Sequence, residues 1–409
     1  MDFFNTVSVK EGREILMKNF EDYDFKTEHV DLEYSINRVL GEDIYSNINV
    51  PEFNRSTVDG YAIRVEDSHG ASQSIPSIIN ILGEVMMGEE INSSIKGGES
   101  FYVPTGGMIP EGSDGVVMVE NVEKMDSSTL LIYKPISQGE NISYKGDDIK
   151  KGELILEKGR KITTGAIGVL AALGIPKVCV YCRPRFYIIS TGDEIIGIED
   201  ELTLGKIRDI NSYTLGSLVH NVGGIVVGRK IVRDNYELLR NEVKKAIDIS
   251  DIVLLSGGSS VGTRDYTAKV IDSFGGKGVL FHGLAVKPGK PTIVGEADGK
   301  LICGLPGHPI SSIIVFKALL EYYIRKKMGI AEIIPRVKAI MDHNFRSDPG
   351  KETYQMIELR QEGGDFHGTP AFGKSGMISL LSKSQGYIII GSHEEGIYKG
   401  EEREVYLLQ

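Results

Sequence analysis

Residues 251–262 read Asp-Ile-Val-Leu-Leu-Ser-Gly-Gly-Ser-Ser-Val-Gly, an apolar run from Ile252 to Leu255 that breaks off in small and hydroxylated residues. An unbroken apolar run bounded by turn residues predicts a strand buried on both faces, as in parallel sheets. The residues that follow, TRDYTAKVIDSFG at 263–275, have helical spacing. The same alternation extends in both directions. RFYIIS (185–190) leads into NSYTLGSLVHNVG (211–223), and GIVVGRKIV (224–232) into NYELLRNEVKKAI (235–247). KGVLFHGL (277–284) and PTIVGEA (291–297) add further strand-like runs. Strands alternating with amphipathic helices predict a doubly wound, largely parallel α/β domain, assigned to 181–329. Its ligands should lie beyond the carboxyl ends of the strands.

The flanks have a different texture, and the whole predicts a multi-domain protein mixing α+β and α/β classes. In the N-terminal region, 1–180, Ser8 and Glu11 form a capping box that starts a helix running towards Asn19. A second short helix is expected to end at Gly41. Between about 51 and 145 lies a β-rich insert of short runs broken by Gly and Pro, such as FYVPTGGMIP and GVVMVENVE. TTGAIGVLAALGIP (163–176) predicts a helix with a small-residue face. From 330 to 409, runs such as TYQMIEL, GYIIIGS and EREVYLL predict a small C-terminal β domain.

The formal net charge is −11, with no run rich in Lys or Arg, which argues against a nucleic-acid or anionic-membrane partner. An anionic ligand must then be met by local groups. The first residues lack the pattern of an export signal and no stretch suits a bilayer span, so a cytoplasmic protein is expected. Three cysteines make a disulfide framework improbable. Cys179 and Cys182 form a C-x-x-C, but on extended chain residues three apart face opposite ways, so the pair is expected to be structural.

Four strand-end segments carry the chemistry: Ser190-Thr191-Gly192-Asp193-Glu194, Ser256-Gly257-Gly258-Ser259-Ser260-Val261-Gly262, Lys287-Pro288-Gly289-Lys290-Pro291 and Gly304-Leu305-Pro306-Gly307-His308-Pro309. Glycines let consecutive amides turn towards phosphate oxygens, and hydroxyls and helix starts add donors. Ordinary tight turns are the alternative for any one of them; four in one domain point to a phosphate-bearing small molecule. Neither a Walker loop nor a dinucleotide fingerprint is present. Lys287 and Lys290, flanking a stiff Pro-Gly turn, repel one another unless an oxyanion lies between them. Asp265 could cap its helix, hold Mg²⁺ or orient a water. Glu194 and Asp234 follow strands and are expected on the same rim.

Taken together, the motifs resemble one family, the molybdopterin molybdenumtransferases, comprising MoeA proteins and the E domain of gephyrin. The matching segments are SxxDGYA (56–62), PTGxxxPxGxDxVVxxE (104–120), GxDI (146–149), RPRxxxxSTGDE (183–194), SGGxSxGxxDYT (256–267), LAxKPGKP (284–291) and GLPGxPxS (304–311). They follow the family's order across nearly the whole chain. The resemblance implies a homodimer whose cleft lies between the α/β domain of one subunit and the β region of the other. It implies insertion of molybdate into adenylylated molybdopterin, supplied by a molybdopterin adenylyltransferase, with Mg²⁺-assisted release of AMP.

On that resemblance, Asp265, Lys287, Lys290, Glu194 and Asp59 are the expected catalytic residues. Thr191, Gly192, Ser256, Gly257, Gly258, Ser260, Gly262, Pro306, Gly307, Thr105, Asp148 and Asp234 would bind the pterin nucleotide. Lys287, Lys290 and Ser375 would hold molybdate, and Asp265 and Glu194 Mg²⁺. The chain departs from the pattern at three places. His308 replaces the usual Asn after GLPG, Ser143-Tyr144-Lys145 replaces an Arg-rich segment, and Met356 stands where an Arg is expected. These departures leave room for a second reading, a pterin-binding or scaffolding relative with weakened metal insertion.

Overall fold

The structure is a computed structural model that describes residues 6–257, 261–331 and 334–408, with the backbone alone at 261–265. Its centre is a six-stranded sheet of β1 (Arg185–Thr191), β2 (Ile225–Val232), β3 (Ile252–Gly257), β4 (Gly278–His282), β5 (Ile293–Ala297) and β6 (Lys300–Leu305). The spatial order is β2-β1-β3-β6-β5-β4. The first four of these are parallel, whereas β5 runs antiparallel to both its neighbours, β6 and the edge strand β4. The expected sheet is present, with an antiparallel edge that arises because β5 and β6 are joined by a tight turn at Asp298-Gly299 rather than by a helix.

The apolar runs explain this layering. Ile188 and Leu254 bury on one face with helix Asn211–Asn221 and helix Pro309–Val315; Ile189, Val253 and Leu255 bury on the other with helix Tyr236–Ile249. Each such side chain contributes about 1.5–3 kcal/mol relative to exposure. The helix that opens at Pro309 passes through a π-helical segment, Phe316–Glu321, before continuing as Tyr322–Lys327.

Helix Val9–Asn19 starts at the expected capping box, where Ser8 Oγ accepts from the Glu11 amide at 3.2 Å and Glu11 Oε2 accepts from the Ser8 amide at 2.8 Å. Val9, Leu16 and Phe20 bury against the α/β domain. The helix expected to end at Gly41 is absent. Only a 3-10 turn, Leu32–Tyr34, forms there, and Val39 and Leu40 bridge instead to Lys161 and Val180. Val39 and Leu40 are thus recruited by extended neighbours, a tertiary pairing that overrides local helical spacing. Helix Thr164–Ala172 forms as expected.

The β-rich insert builds a second six-stranded sheet that includes Gly60–Ile63, Glu99–Val103 and Gly115–Met118. In the C-terminal region, Glu352–Glu362, Asp365–Pro370, Arg336–Met341, Glu402–Leu407 and Gly386–Ile390 pair in turn, and the last returns to the first. This closes a small barrel, which leaves no open edge among those five strands. Val286–Lys287 joins Glu352–Thr353 in parallel and fastens the barrel to the α/β domain. Among the described residues no helix is long and apolar enough to cross a membrane.

Candidate functional site

The carboxyl ends of β1, β3 and β6 meet at one rim, because those strands are adjacent or nearly so in the sheet. There Asn211, the first residue of its helix, donates from Nδ2 to Ser256 Oγ and to the Gly307 carbonyl oxygen, both at 2.7 Å. One side chain thus ties the loop after β3 to the loop after β6. Among the described residues its Oδ1 is buried without a hydrogen-bond partner, an acceptor that a ligand donor would satisfy. Asp209, also buried, accepts from Ser190 Oγ at 3.0 Å and from the Ser212 amide at 3.1 Å, fixing the end of β1 to the same helix start. Neither Asn211 nor Asp209 is anticipated above. The available signal is Asp-x-Asn-Ser ahead of a helical run, which reads first as a capping sequence.

On the other side of β1, Thr191 is buried and Gly192 has a φ of +153°. A Cβ on Gly192 would lie 2.8 Å from the Glu194 carboxylate, so the glycine lets that side chain fold back over the loop. Ile207 donates its amide to the Glu194 carbonyl at 2.9 Å, and Lys206 Nζ donates to the Asp193 carbonyl at 2.6 Å. Asp234 follows β2 and faces Asp193 and Glu194. Burial pushes its carboxyl above the usual carboxylate range, and the negative charges of Asp193 and Glu194 push the same way. Among the described residues Asp234 Oδ1 is buried without a partner. The expected convergence of Glu194 and Asp234 is therefore present, with Asp193 as an added member.

The lysine turn lies at the seam with the barrel. Gly289 has a φ of +132°, and a Cβ there would stand 2.7 Å from Val315 and 2.9 Å from Val286. The Lys287 ammonium lies 2.7 Å from Asp348 Oδ2, and this hydrogen bond and charge hold the Asp348 carboxyl below its ordinary range. Lys290 is exposed. The loop after β6 reaches the barrel too, for His308 Nδ1 lies 2.9 Å from Ser375 Oγ. Met356 is buried among apolar residues that include Tyr354, Ala371 and Leu380.

In the β-rich insert, Asp59 Oδ1 accepts from the Thr105 amide at 2.7 Å and from Thr105 Oγ1 at 3.0 Å. Both residues and Asp148 are exposed. Among the described residues no hydrogen bond or ion pair joins these three to the α/β rim of the same chain. Gly258 and Ser260 lie outside the described residues, as do the side chains of 261–265, Asp265 included. The helix Val261–Asp272 begins early enough to put Gly262 in its first turn and Asp265 beyond it.

Comparison with known proteins converges on one family. Residues 7–174 match the MoeA N-terminal region (domains I and II), 187–326 a probable molybdopterin binding domain, and 338–408 the MoeA C-terminal region (domain IV). The chain belongs to the MoeA family. A putative molybdopterin biosynthesis protein of Methanocaldococcus jannaschii is 34% identical over 99% of both chains. A molybdopterin molybdenumtransferase of Staphylococcus epidermidis is 33% identical over 98% of this chain and 96% of its own length. A molybdopterin biosynthesis MoeA protein structure from Pyrococcus horikoshii superposes with a TM-score of 0.85 at 35% identity, covering 99% of this chain and 100% of that one. MoeA membership thus spans the α/β rim, the β-rich insert and the barrel together.

Proposed function

We infer that this MoeA-family chain is a molybdopterin molybdenumtransferase acting in molybdenum cofactor biosynthesis, inserting molybdate into adenylylated molybdopterin and releasing AMP. The observation that carries this reading is the placement of the Lys287 turn at the seam beside the rim loops, with its ammonium already engaged by an oxyanion, the Asp348 carboxylate. A tetrahedral dianion offers a doubly charged partner for the same ammonium and for Lys290, with Ser375 as a hydroxyl donor. The rim supplies what a phosphate-bearing pterin needs: the amides and hydroxyl around Thr191, Gly192 and Ser256, and the loop containing Pro306 and Gly307.

The carboxylates suit Mg²⁺. Burial, and then the charges of Asp193 and Glu194, disfavour ionised Asp234, and among the described residues one of its oxygens is buried without a partner; a hard cation takes such oxygens. Asp234, Glu194 and Asp193 would hold it, with Asp265 a further candidate. When bound, Mg²⁺ would neutralise phosphoanhydride oxygens. The protein's own groups then bind and orient: Asn211 holds two loops in register, and Lys287 and Lys290 gather molybdate.

Among the described residues Asp59, Thr105 and Asp148 have no hydrogen bond or ion pair to the rim of their own chain, which supports their use by a second subunit and so a homodimer. A division at about 180 and 330 into N-terminal, α/β and C-terminal parts belongs to the same proposal, as do a cytoplasmic location and supply of substrate by an adenylyltransferase. The test is AMP release from adenylylated molybdopterin with and without molybdate. Molybdate-dependent release is expected; binding of the nucleotide with no such release would leave a scaffolding relative.

A further inference from the structure

Away from the rim, three side chains with different donor atoms meet on the sheet that joins the N-terminal segment to residues 177–181. Strand Thr27–Asp31 pairs antiparallel with Lys177–Tyr181, and His29 stands directly opposite Cys179. Directly opposed residues project from the same face, with Cβ atoms about 4.5–5.5 Å apart. On the other edge of Lys177–Tyr181, Leu40 bridges Val180 and the Gly41 amide donates to the Cys179 carbonyl at 3.0 Å. Gly41 therefore sits beside Cys179 in the same row. A Cβ on Gly41 would lie 3.1 Å from Cys179 Sγ and 2.7 Å from a Thr27 methyl, so only glycine fits there, and its absent side chain leaves a notch over the sulfur. The chain then turns and brings Glu42 alongside.

The ligand atoms of His29, Glu42 and Cys179 all lie within 4.8 Å of one another. A tetrahedral zinc site with bonds of about 2.0–2.3 Å separates its ligand atoms by roughly 3.3–3.8 Å. Rotation of the two exposed side chains, His29 and Glu42, covers the difference, while the buried Cys179 stays fixed. Among the described residues none of the three side chains has a hydrogen-bond or ion-pair partner elsewhere. Their neighbours do: Glu28 is held by Arg38, and Asp31 by Lys177.

We propose that His29, Glu42 and Cys179 form a binding site for a borderline-soft divalent cation, zinc foremost, independent of the transferase reading. Imidazole nitrogen with thiolate sulfur selects zinc over the hard ions Mg²⁺ and Ca²⁺. On binding, the Cys179 thiol gives its proton to solvent and the metal takes three protein ligands, leaving a fourth position for water. The ion would clamp residues 27–31, the turn at 41–42 and residues 177–181, which are already joined by backbone pairing, by the Asp31–Lys177 ion pair and by the packing of Val30, Leu40, Val178 and Val180. The C-x-x-C thus contributes one sulfur, with its partners coming from across the sheet. Cys182 lies outside the strand, and burial raises its thiol above the ordinary range, so it is the natural control.

The test is titration of the full, untagged, metal-stripped chain with Co²⁺, followed by displacement with Zn²⁺. One equivalent is expected to give a thiolate-to-cobalt charge-transfer band, and Zn²⁺ to remove the band and raise the melting temperature. Cys179→Ser should abolish the band, His29→Ala should weaken Co²⁺ binding at least tenfold, and Cys182→Ser should leave both intact. His29 and Glu42 are exposed, so His29→Ala and Glu42→Gln keep the test valid should Cys179→Ser fold poorly. No thiolate band in the folded wild-type chain, a band that survives Cys179→Ser, or unchanged affinity in both His29→Ala and Glu42→Gln would overturn the site.

Discussion

Lys287 Nζ lies 2.7 Å from Asp348 Oδ2, so a carboxylate of the C-terminal region holds a lysine of the α/β turn across the seam between them. The Asp348 carboxyl is lowered by the hydrogen bond and charge of Lys287. A depressed carboxylate is fully ionised above its ordinary value near 4 and loses the pair only as pH falls through its lower folded value. At neutral pH the pair is therefore intact and competes with any oxyanion for Lys287. Asp348→Asn should lower the molybdate concentration needed for half-maximal AMP release by no more than about fivefold, because an exposed ion pair is weakly held. Lys287→Ala should raise it. Titration of AMP release against molybdate reads both, and identical curves would remove the pair from the site.

Asp234 makes the opposite prediction. Its carboxyl is raised by burial and then by Asp193 and Glu194, so ionising it costs folding stability at pH values above its folded pKa, and the cost vanishes below the ordinary value near 4. Asp234→Asn should melt higher than wild type at neutral pH without divalent cation, and the gain should shrink as pH falls towards 4. Mg²⁺ should stabilise the wild type and not the variant. Thermal unfolding with and without Mg²⁺ measures both; an equal Mg²⁺ response would move the cation elsewhere.

Asn211 holds two loops through one amide. Asn211→Ala leaves the Gly307 carbonyl short of a donor, a cost of about 1–3 kcal/mol in denaturant unfolding. Because the same change frees the loops after β3 and β6, pterin binding should weaken with it. Unaltered binding in a destabilised variant would limit Asn211 to a structural role.

Met356 stands where the family resemblance expects arginine, and its burial shows why a simple reversion should fail. It is 3% exposed within the apolar cluster shared by the barrel and the α/β domain. Met356→Arg would bury an unpaired charge, a change expected to cost about 3 kcal/mol or more. Reduced stability with no gain in molybdate use is the predicted outcome, and a stable variant with improved activity would contradict it.

Subunit mixing tests the shared cleft. Asp59→Ala and Lys287→Ala each damage one wall, so a hybrid dimer regains one intact cleft if the walls come from different subunits. Random mixing should restore about a quarter of wild-type activity, since half the dimers are hybrids with one good site of two. No recovery would place both walls in one chain.

The strand ends at Thr191, Gly257 and Leu305 are legible in the sequence because each closes an unbroken apolar run with small or turn-forming residues. Glu194 and Asp234 are legible for the same reason: each follows a strand, and neighbouring parallel strands end together. Asn211 is hidden because its two partners are 45 and 96 residues away, and nothing local distinguishes a loop-bridging amide from a capping one. The absent helix before Gly41 has a similar cause, for Val39 and Leu40 take their partners from 161 and 180. The antiparallel edge formed by β4 and β5 is illegible because an apolar run states burial and not direction. Asp348 shows the same limit, since its value as a partner appears only once the barrel is fastened beside Lys287.

The central claim is metal insertion, and the most direct measurement is the molybdenum content of the pterin produced when the purified protein is given adenylylated molybdopterin, Mg²⁺ and molybdate. The account predicts metal-loaded pterin accumulating in step with AMP, and far less of both with Lys287→Ala at limiting molybdate. Pterin that stays bound and metal-free under the same conditions would contradict it.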